Sequence, residues 1–319
     1  MTRMNCVICS SSATDFLTVK HGYTVQKCSS CGHGWILNMP SPAELQEYYE
    51  SESAVREQYD FSDATIRKHA ARLFRWIMQV RKPPGLLLDF GCGSGAHLEL
   101  AREMGWQVAG VDFSKTAGDL CARRGISVFK DMESVQKKFS EQSFEVITLW
   151  EVVEHLPDPQ NFLKQIKKFL KKEGVLAVST PNFAGAVAQR DFAGWNEIRP
   201  PMHLHYFTPQ SLSLLLEKSG FYNLNQLTYG TYHPAVDAFG ETMSRFFHLK
   251  ASTTLLIKTI FYKLFKFHFN RNLHAKMLGS GLLSLSSPSR PVKEPPMPLI
   301  LASSAAKSFS AILVVCAAI

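Results

Sequence analysis

Four cysteines near the start of the chain are spaced for metal chemistry. Two residues separate Cys6 from Cys9 and Cys28 from Cys31, with eighteen residues between the pairs. Each Cys-x2-Cys turn directs backbone amides at its thiolates, and the stretch between has room for a short hairpin that sets one pair opposite the other. Gly32 follows the last cysteine, where a tight knuckle turn needs a residue tolerant of positive φ. In a reducing compartment this pattern predicts a tetrahedral Zn(Cys)4 site rather than disulfides. Four thiolates leave no open position on the ion, so such a zinc would be structural. A second group is the run Leu87-Leu88-Asp89-Phe90-Gly91-Cys92-Gly93-Ser94-Gly95. Its glycines let a ligand approach the backbone closely, and the helix it opens favours negative charge at its start. Asp112, twenty-one residues beyond Gly91, is placed to accept from ribose hydroxyls. Alone, these residues also fit a dinucleotide, because Ala96 can stand for the third glycine of that fingerprint.

The elements that must position these groups follow from periodicity. Ser41-Pro42-Ala43-Glu44 is a capping box with proline at the first helical position, and it starts a helix running through Tyr48 and Tyr49. A second helix over about 66–80 carries Leu73, Trp76, Ile77 and Val80 at helical spacing and ends before Pro83-Pro84-Gly85. Short apolar runs at 86–90, 107–111, 126–129, 144–149 and 174–179 then alternate with amphipathic stretches at 96–104, 115–123 and 161–171. That alternation predicts an α/β domain with a doubly wound, mostly parallel sheet. A helix over 212–219 and a sixth strand over 221–229 extend it. Residues 284–298, rich in Ser and Pro, read as a loop, and 299–319 as either a helix or a seventh strand.

At 319 residues, with 45% hydrophobic and 19% charged residues, the chain is long and apolar enough to bury a sizeable core. No repeat of solenoid length is present. The N-terminal residues lack the apolar run of a signal peptide, which predicts a cytoplasmic protein. Ten of the 35 basic residues but one of the 27 acids lie from Arg245 onward, so the net charge of +8 belongs to the C-terminal quarter. Residues 255–270 form a basic amphipathic pattern. Lys258, Lys263 and Lys266 share one arc, and Ile257, Ile260, Phe261, Leu264 and Phe265 take much of the rest. Such a helix suits either a lid with its lysines in water or peripheral contact with the anionic inner membrane surface.

Taken together, Asp89-x-Gly91-x-Gly93-x-Gly95, Val111-Asp112-Phe113-Ser114, the run from Leu149 to Pro159, Ser179-Thr180-Pro181-Asn182, and His203-Leu204-His205-Tyr206-Phe207-Thr208-Pro209 resemble class I S-adenosylmethionine-dependent methyltransferases. The similarity is greatest to the branch of ubiquinone-biosynthesis O-methyltransferases. The N-terminal cysteines resemble the zinc module of nucleotide-sugar C-methyltransferases. The chain divides into a ribbon (1–40), a helical linker (41–82), a cofactor-binding domain (83–232) and a basic C-terminal region (233–319), the last predicted helical from its own amphipathic pattern. The resemblance, which hardly extends to that last region, implies a seven-stranded Rossmann-like sheet with a small zinc ribbon before it. It places the methionine end of the cofactor along Asp89, Gly91, Cys92, Gly93 and Gly95, and the ribose at Asp112 and Phe113. The adenine falls near Asp131 and Met132, with Trp150 and Glu151 on the floor of the site. Cys92 reads as a small residue that fits the turn.

Methyl transfer is an in-line displacement in which alignment matters most, and a base is needed where the acceptor carries a proton to lose. His155, His203 and His205 are the candidates for that base. The expected reaction is methylation of a small or carrier-linked metabolite, at oxygen or at a sugar carbon. No Asn/Asp-Pro-Pro-Tyr/Phe tetrad follows the fourth strand of the sheet, which argues against amine methylation of adenine or glutamine. An RNA methyltransferase gripping its substrate with the ribbon and the basic helix is the alternative. Residues 1–40 count against it, because they carry only Arg3, Lys20 and Lys27 against Asp15. Nothing in the sequence fixes an oligomeric state.

Overall fold

A computed structural model describes residues 5–50, 63–229, 281–288 and 313–318. Strands β1 (Thr14–Lys20) and β2 (Tyr23–Cys28) form an antiparallel hairpin. Both residues of its two-residue turn, His21 and Gly22, have positive φ (51° and 81°). A type I′ turn requires this, and it matches the twist of the flanking strands. The hairpin sets Cys28 within reach of Cys9. Strand β3 (Gly34–Ile36) pairs with β2 and leads to helix α1 (Pro42–Glu50). The Ser41 hydroxyl accepts from Glu44 N, and the Glu44 carboxylate accepts from Ser41 N at 2.7 Å, completing the expected capping box.

Helix α2 (Asp63–Val80) precedes the main alternation: β4 (Leu86–Phe90), α3 (Ala96–Glu103), β5 (Gln107–Val111), α4 (Lys115–Arg123), β6 (Val128–Phe129), α5 (Met132–Lys138), β7 (Phe144–Trp150), α6 (Pro159–Lys167), β8 (Leu170–Pro181). After these come α7 (Ala186–Arg190), β9 (His205–Tyr206), α8 (Pro209–Lys218), β10 (Phe221–Tyr229), β11 (Gly281–Ser287) and β12 (Leu313–Ala318). The order across the large sheet is β10, β11, β12, β8, β7, β4, β5, β6, with β4 to β8 all parallel. Strands β11 and β12 register against the same residues of β8, so that Val178 pairs with both Ser284 and Val314. Both are antiparallel to β10. The sheet is thus mostly parallel, and β11 and β12 are its antiparallel strands beyond β8.

Three expectations shift. Residues 168–171 are not helical. After α6 the chain turns at Lys168, and Leu170 pairs with Phe144 as β8 begins, because burying these two apolar side chains outweighs the helical preference of Lys171 and Lys172. Helix α5 escapes the periodicity reading because it is short and polar; Asp131 caps it. Residues 284–287, read as loop, lie within β11, where Leu285 and Ser286 are buried against β8. The basic amphipathic stretch 255–270 lies outside the described residues.

The N-terminal module does not stand apart. Gly34 and Trp35 pair antiparallel with Tyr206 and His205, so β9 becomes the fourth strand of the small sheet. One hydrophobic cluster runs from Cys6, Ile8 and Trp35 into Phe74, Leu88 and Leu149. A second joins Val25 and Ile36 to Phe183, Trp195, Leu204 and Tyr206.

Candidate functional site

The carboxyl ends of β4, β5 and β7 converge where a parallel sheet binds its ligands. Gly91 (φ 68°) and Gly95 (φ 79°) adopt left-handed conformations in the turn from β4 to α3. A Cβ on Gly91 would lie 2.7 Å from Val152 Cγ2, and one on Gly95 would lie 2.7 Å from Cys121 Sγ. Side chains at these positions would collide with packed protein, so glycine keeps the turn tight, a cradle of bare backbone. The Cys92 Sγ packs beneath Gly110, where a Cβ would come within 2.6 Å of it. Its buried side chain leaves the backbone as the part of Cys92 that can face a ligand.

Asp89 is buried, and its Oδ1 accepts from the Thr148 hydroxyl at 2.6 Å. Its Oδ2 has no partner among the described residues. Burial raises its pKa well above the usual carboxylate range. An orphaned buried carboxylate oxygen beside a glycine cradle fits the ammonium of the methionine end of S-adenosylmethionine. Asp112 at the end of β5 accepts from Gly93 N at 3.0 Å and Ser114 N at 2.9 Å. A carboxylate has about four lone-pair sites, so capacity remains for a ribose diol. Phe113, next in sequence, is 57% exposed despite its size.

Asp131 is held by its cap, accepting from Ser134 N and from the Ser134 hydroxyl, which lower its pKa. Met132 beside it packs on the core. Trp150 is buried and stacks on His97 of α3, with Phe74 of α2 edge-on to it. Glu151 holds a positive φ of 53°, fixed by Ser179: Glu151 N donates to Ser179 O and Oγ, and the Ser179 hydroxyl donates to Glu151 Oε1 at 2.9 Å. A non-glycine residue held left-handed at the end of a central strand marks a place where the backbone is constrained by more than local preference.

Of the three histidines, two come together. The rings of His155 and His203 meet edge-on with centroids 4.8 Å apart. Each Nδ1 lies 2.8 Å from a backbone carbonyl, that of Met202 for His155 and that of Glu197 for His203. Carbonyls only accept, so each Nδ1 carries the hydrogen. Beside them lies Glu154, wholly buried, with no well-aligned partner for either carboxylate oxygen among the described residues; the Thr180 hydroxyl borders it. Burial pushes Glu154 up to about 8 and His155 down to about 4, and it holds His203 well below its usual value. One ligand atom from each of the three residues falls within 4.8 Å of the others, a geometry suited to sharing a proton or to holding a divalent cation. Sequence reasoning missed Glu154, although a carboxylate in the apolar run Val152-Val153-Glu154 was a signal of buried polar chemistry.

His205 is elsewhere. Its Nδ1 lies 3.1 Å from His33 Nε2, and the two rings stack in the junction between the small sheet and the main domain. Strand alternation explains this, since pairing of His205 with Trp35 turns its side chain toward the N-terminal module. It is a junction residue and does not join the Glu154 group.

The four cysteines converge. Cys6 and Cys31 sulfurs lie 3.6 Å apart, Cys9 and Cys28 sulfurs 3.4 Å apart, all four fall within 4.8 Å of one another, and none is in a disulfide. Tetrahedral Zn–S bonds of ~2.3 Å place sulfurs about 3.8 Å from one another, so the donor set and its spacing fit zinc. The knuckle is braced by the main domain: the Thr208 hydroxyl donates to Cys31 O, and the Lys218 ammonium donates to Ile8 O at 2.6 Å. Among the described residues no helix is long and apolar enough to cross a membrane.

A family profile described as "Methyltransferase domain" matches residues 61–226. A ubiquinone biosynthesis O-methyltransferase of Caulobacter vibrioides is 35% identical over 127 residues, covering 37% of this chain and 50% of that protein. One from Bradyrhizobium diazoefficiens is 30% identical over 175 residues, covering 49% of this chain and 69% of that protein. The chain spans about half the length of the first of these relatives. A SAM dependent methyltransferase from Archaeoglobus fulgidus, 20% identical, overlays with a TM-score of 0.47 across 71% of this chain and 95% of its own.

Proposed function

Because the chain belongs to the class I S-adenosylmethionine-dependent methyltransferases, we propose that it methylates an oxygen of a small or carrier-linked metabolite. The observation that carries the cofactor half of this reading is the unpartnered Asp89 Oδ2 beside the Gly91–Gly95 cradle. The choice of oxygen rests on the relatives, which are named as O-methyltransferases. When bound, S-adenosylmethionine supplies an electrophilic methyl on a sulfonium that leaves as a neutral thioether. Asp89 holds the ammonium, Asp112 accepts from the ribose hydroxyls, and Phe113 and Met132 border the adenosine.

The Glu154–His155–His203 group takes the proton that the acceptor oxygen loses. With Nδ1 hydrogens committed to carbonyls, Nε2 is the proton-accepting atom of each imidazole. Glu154 Oε1 lies 3.9 Å from His155 Nε2, and once ionised it would offset an imidazolium formed there. Cys6, Cys9, Cys28 and Cys31 hold one structural zinc that stiffens the strand carrying His205 and Tyr206. An RNA grip on the ribbon is less well supported. One edge of its sheet is spent on β9, and the Lys27 ammonium lies over the Phe183 ring, 5.4 Å from its centroid.

The test is a transfer screen with tritiated-methyl S-adenosylmethionine against phenols, sugar nucleotides and total RNA. Label recovered in methyl ethers supports the reading; label confined to RNA or to carbon overturns it.

A further inference from the structure

Helix α1 lies ahead of the segment matched by the methyltransferase profile, yet its last turn reaches both halves of the site. The Tyr49 ring packs edge-on against Phe113 with centroids 5.4 Å apart, beside the ribose acid Asp112. Its hydroxyl lies 3.1 Å from His155 Nδ1, the hydrogen-bearing nitrogen of that ring. That same Nδ1 is 2.8 Å from the Met202 carbonyl, so the hydrogen between them belongs to the imidazole. The phenol oxygen is then a second acceptor of a shared N–H, and its own proton is turned away from His155. Among the described residues nothing else takes that proton. Burial, aided by Tyr48 and Glu154, pushes the phenol up, so it keeps its proton at every pH of interest.

A fixed O–H donor thus stands between the ribose acid and the imidazole pair. Beside it, the exposed face of Phe113 offers a flat apolar wall. Resting on the O-methylation reading, we propose that Tyr49 is an acceptor-positioning residue whose hydroxyl donates to the nucleophilic oxygen of a phenol-like acceptor lying against Phe113. The acceptor's proton would pass to the Glu154–His155–His203 group as its oxygen bonds to the methyl carbon. The carbon–sulfur bond breaks in the same step, its electron pair staying on the departing thioether sulfur, while Tyr49 retains its own proton. The donor fixes the direction of the oxygen lone pair, which is where orientation supplies rate.

The experiment uses the full, zinc-loaded chain saturated with S-adenosylhomocysteine, and para-nitrophenol as the probe. Tyr49→Phe keeps the ring against Phe113 and removes only the donor. Loss of one hydrogen bond to an anionic oxygen should weaken para-nitrophenol binding about tenfold. The absorption band of the bound phenolate should move to longer wavelength, a signature that a purely structural residue would not give. Affinity for S-adenosylhomocysteine should stay within about twofold, and the melting temperature should hold. Equal para-nitrophenol affinity and an unmoved band in the variant overturn the proposal, as does failure of the unaltered protein to bind the probe. The tritium screen reads the underlying O-methylation separately, so a Tyr49-dependent phenol site without ether product would sink that reading alone.

Discussion

Replacing Glu154 with glutamine tests whether the buried carboxyl is neutral in the folded protein. Its neighbours are His155, His203, Thr180 and Glu197, none an ordinary ion-pair partner. In the unfolded chain Glu154 ionises near 4.5, whereas folded it holds its proton to about 8. Folding therefore takes up a proton between these values, and stability must fall as pH rises through that window. The buried histidines act in the opposite sense, because their pKa values are lowered from 6.5, but their contribution is complete once pH exceeds that value. From pH 6.5 to about 8 the histidine contribution is constant, and comparison with the glutamine variant, which keeps every other titrating group, isolates the Glu154 effect. At about 1.4 kcal/mol per pH unit it amounts to about 2 kcal/mol over this window. Glutamine matches the neutral acid in shape and cannot ionise. Urea unfolding of both proteins at the two ends of the window should show a Glu154→Gln advantage already present at pH 6.5 that grows by about 2 kcal/mol by pH 8. Parallel stability profiles would refute the reasoning. So would a variant several kcal/mol weaker at pH 6.5, since that is the mark of an ionised carboxylate with a cationic partner.

Asp112→Ala should cost about 1.5–3 kcal/mol of S-adenosylmethionine affinity by calorimetry, the range for hydrogen bonds to a charged group; unchanged affinity would remove the ribose assignment. Metal analysis should find about one zinc per chain. Cys28→Ser should lower that content and raise hydrogen exchange at Tyr206, whereas zinc-free but fully folded protein would contradict the site. His33→Ala should destabilise the fold by about 2–4 kcal/mol, because it leaves a void beside Trp35 and Phe207 and strands His205 Nδ1. A loss under 0.5 kcal/mol would show that the junction is not cooperative.

The parts of the site that could be read from sequence are the parts made by neighbours in the chain. The glycine turn, Asp112 at a strand end and the paired cysteines each owe their geometry to a few adjacent residues, so spacing carried the information. Tyr49 could not be found this way. Its partner His155 is 106 positions away, and only the packing of α1 across the sheet's end brings them together. The three histidines show the same limit. Nothing in their types separates His205, turned toward Trp35 by strand pairing, from His203, only two residues before it. The N-terminal end of β8 was hidden for a different reason: Lys171, Lys172 and Glu173 favour helix locally, and only the pairing of Leu170 with Phe144 decides otherwise.

The pairing of β3 with β9 also sets a timetable. His33 and His205, which meet across this junction, are 172 positions apart. At a synthesis rate of ~5–20 residues per second, the ribosome needs roughly 9–34 s to deliver the second after the first. During that interval Gly34-Trp35-Ile36 is an apolar edge with no strand to receive it, although Trp35 and Ile36 are almost wholly buried once folding is complete. Unpaired edges of this kind invite association with other chains. The first fifty residues, made alone, should therefore aggregate or be captured by chaperones, and a domain cut at residue 61 would leave the β9 edge bare in the same way.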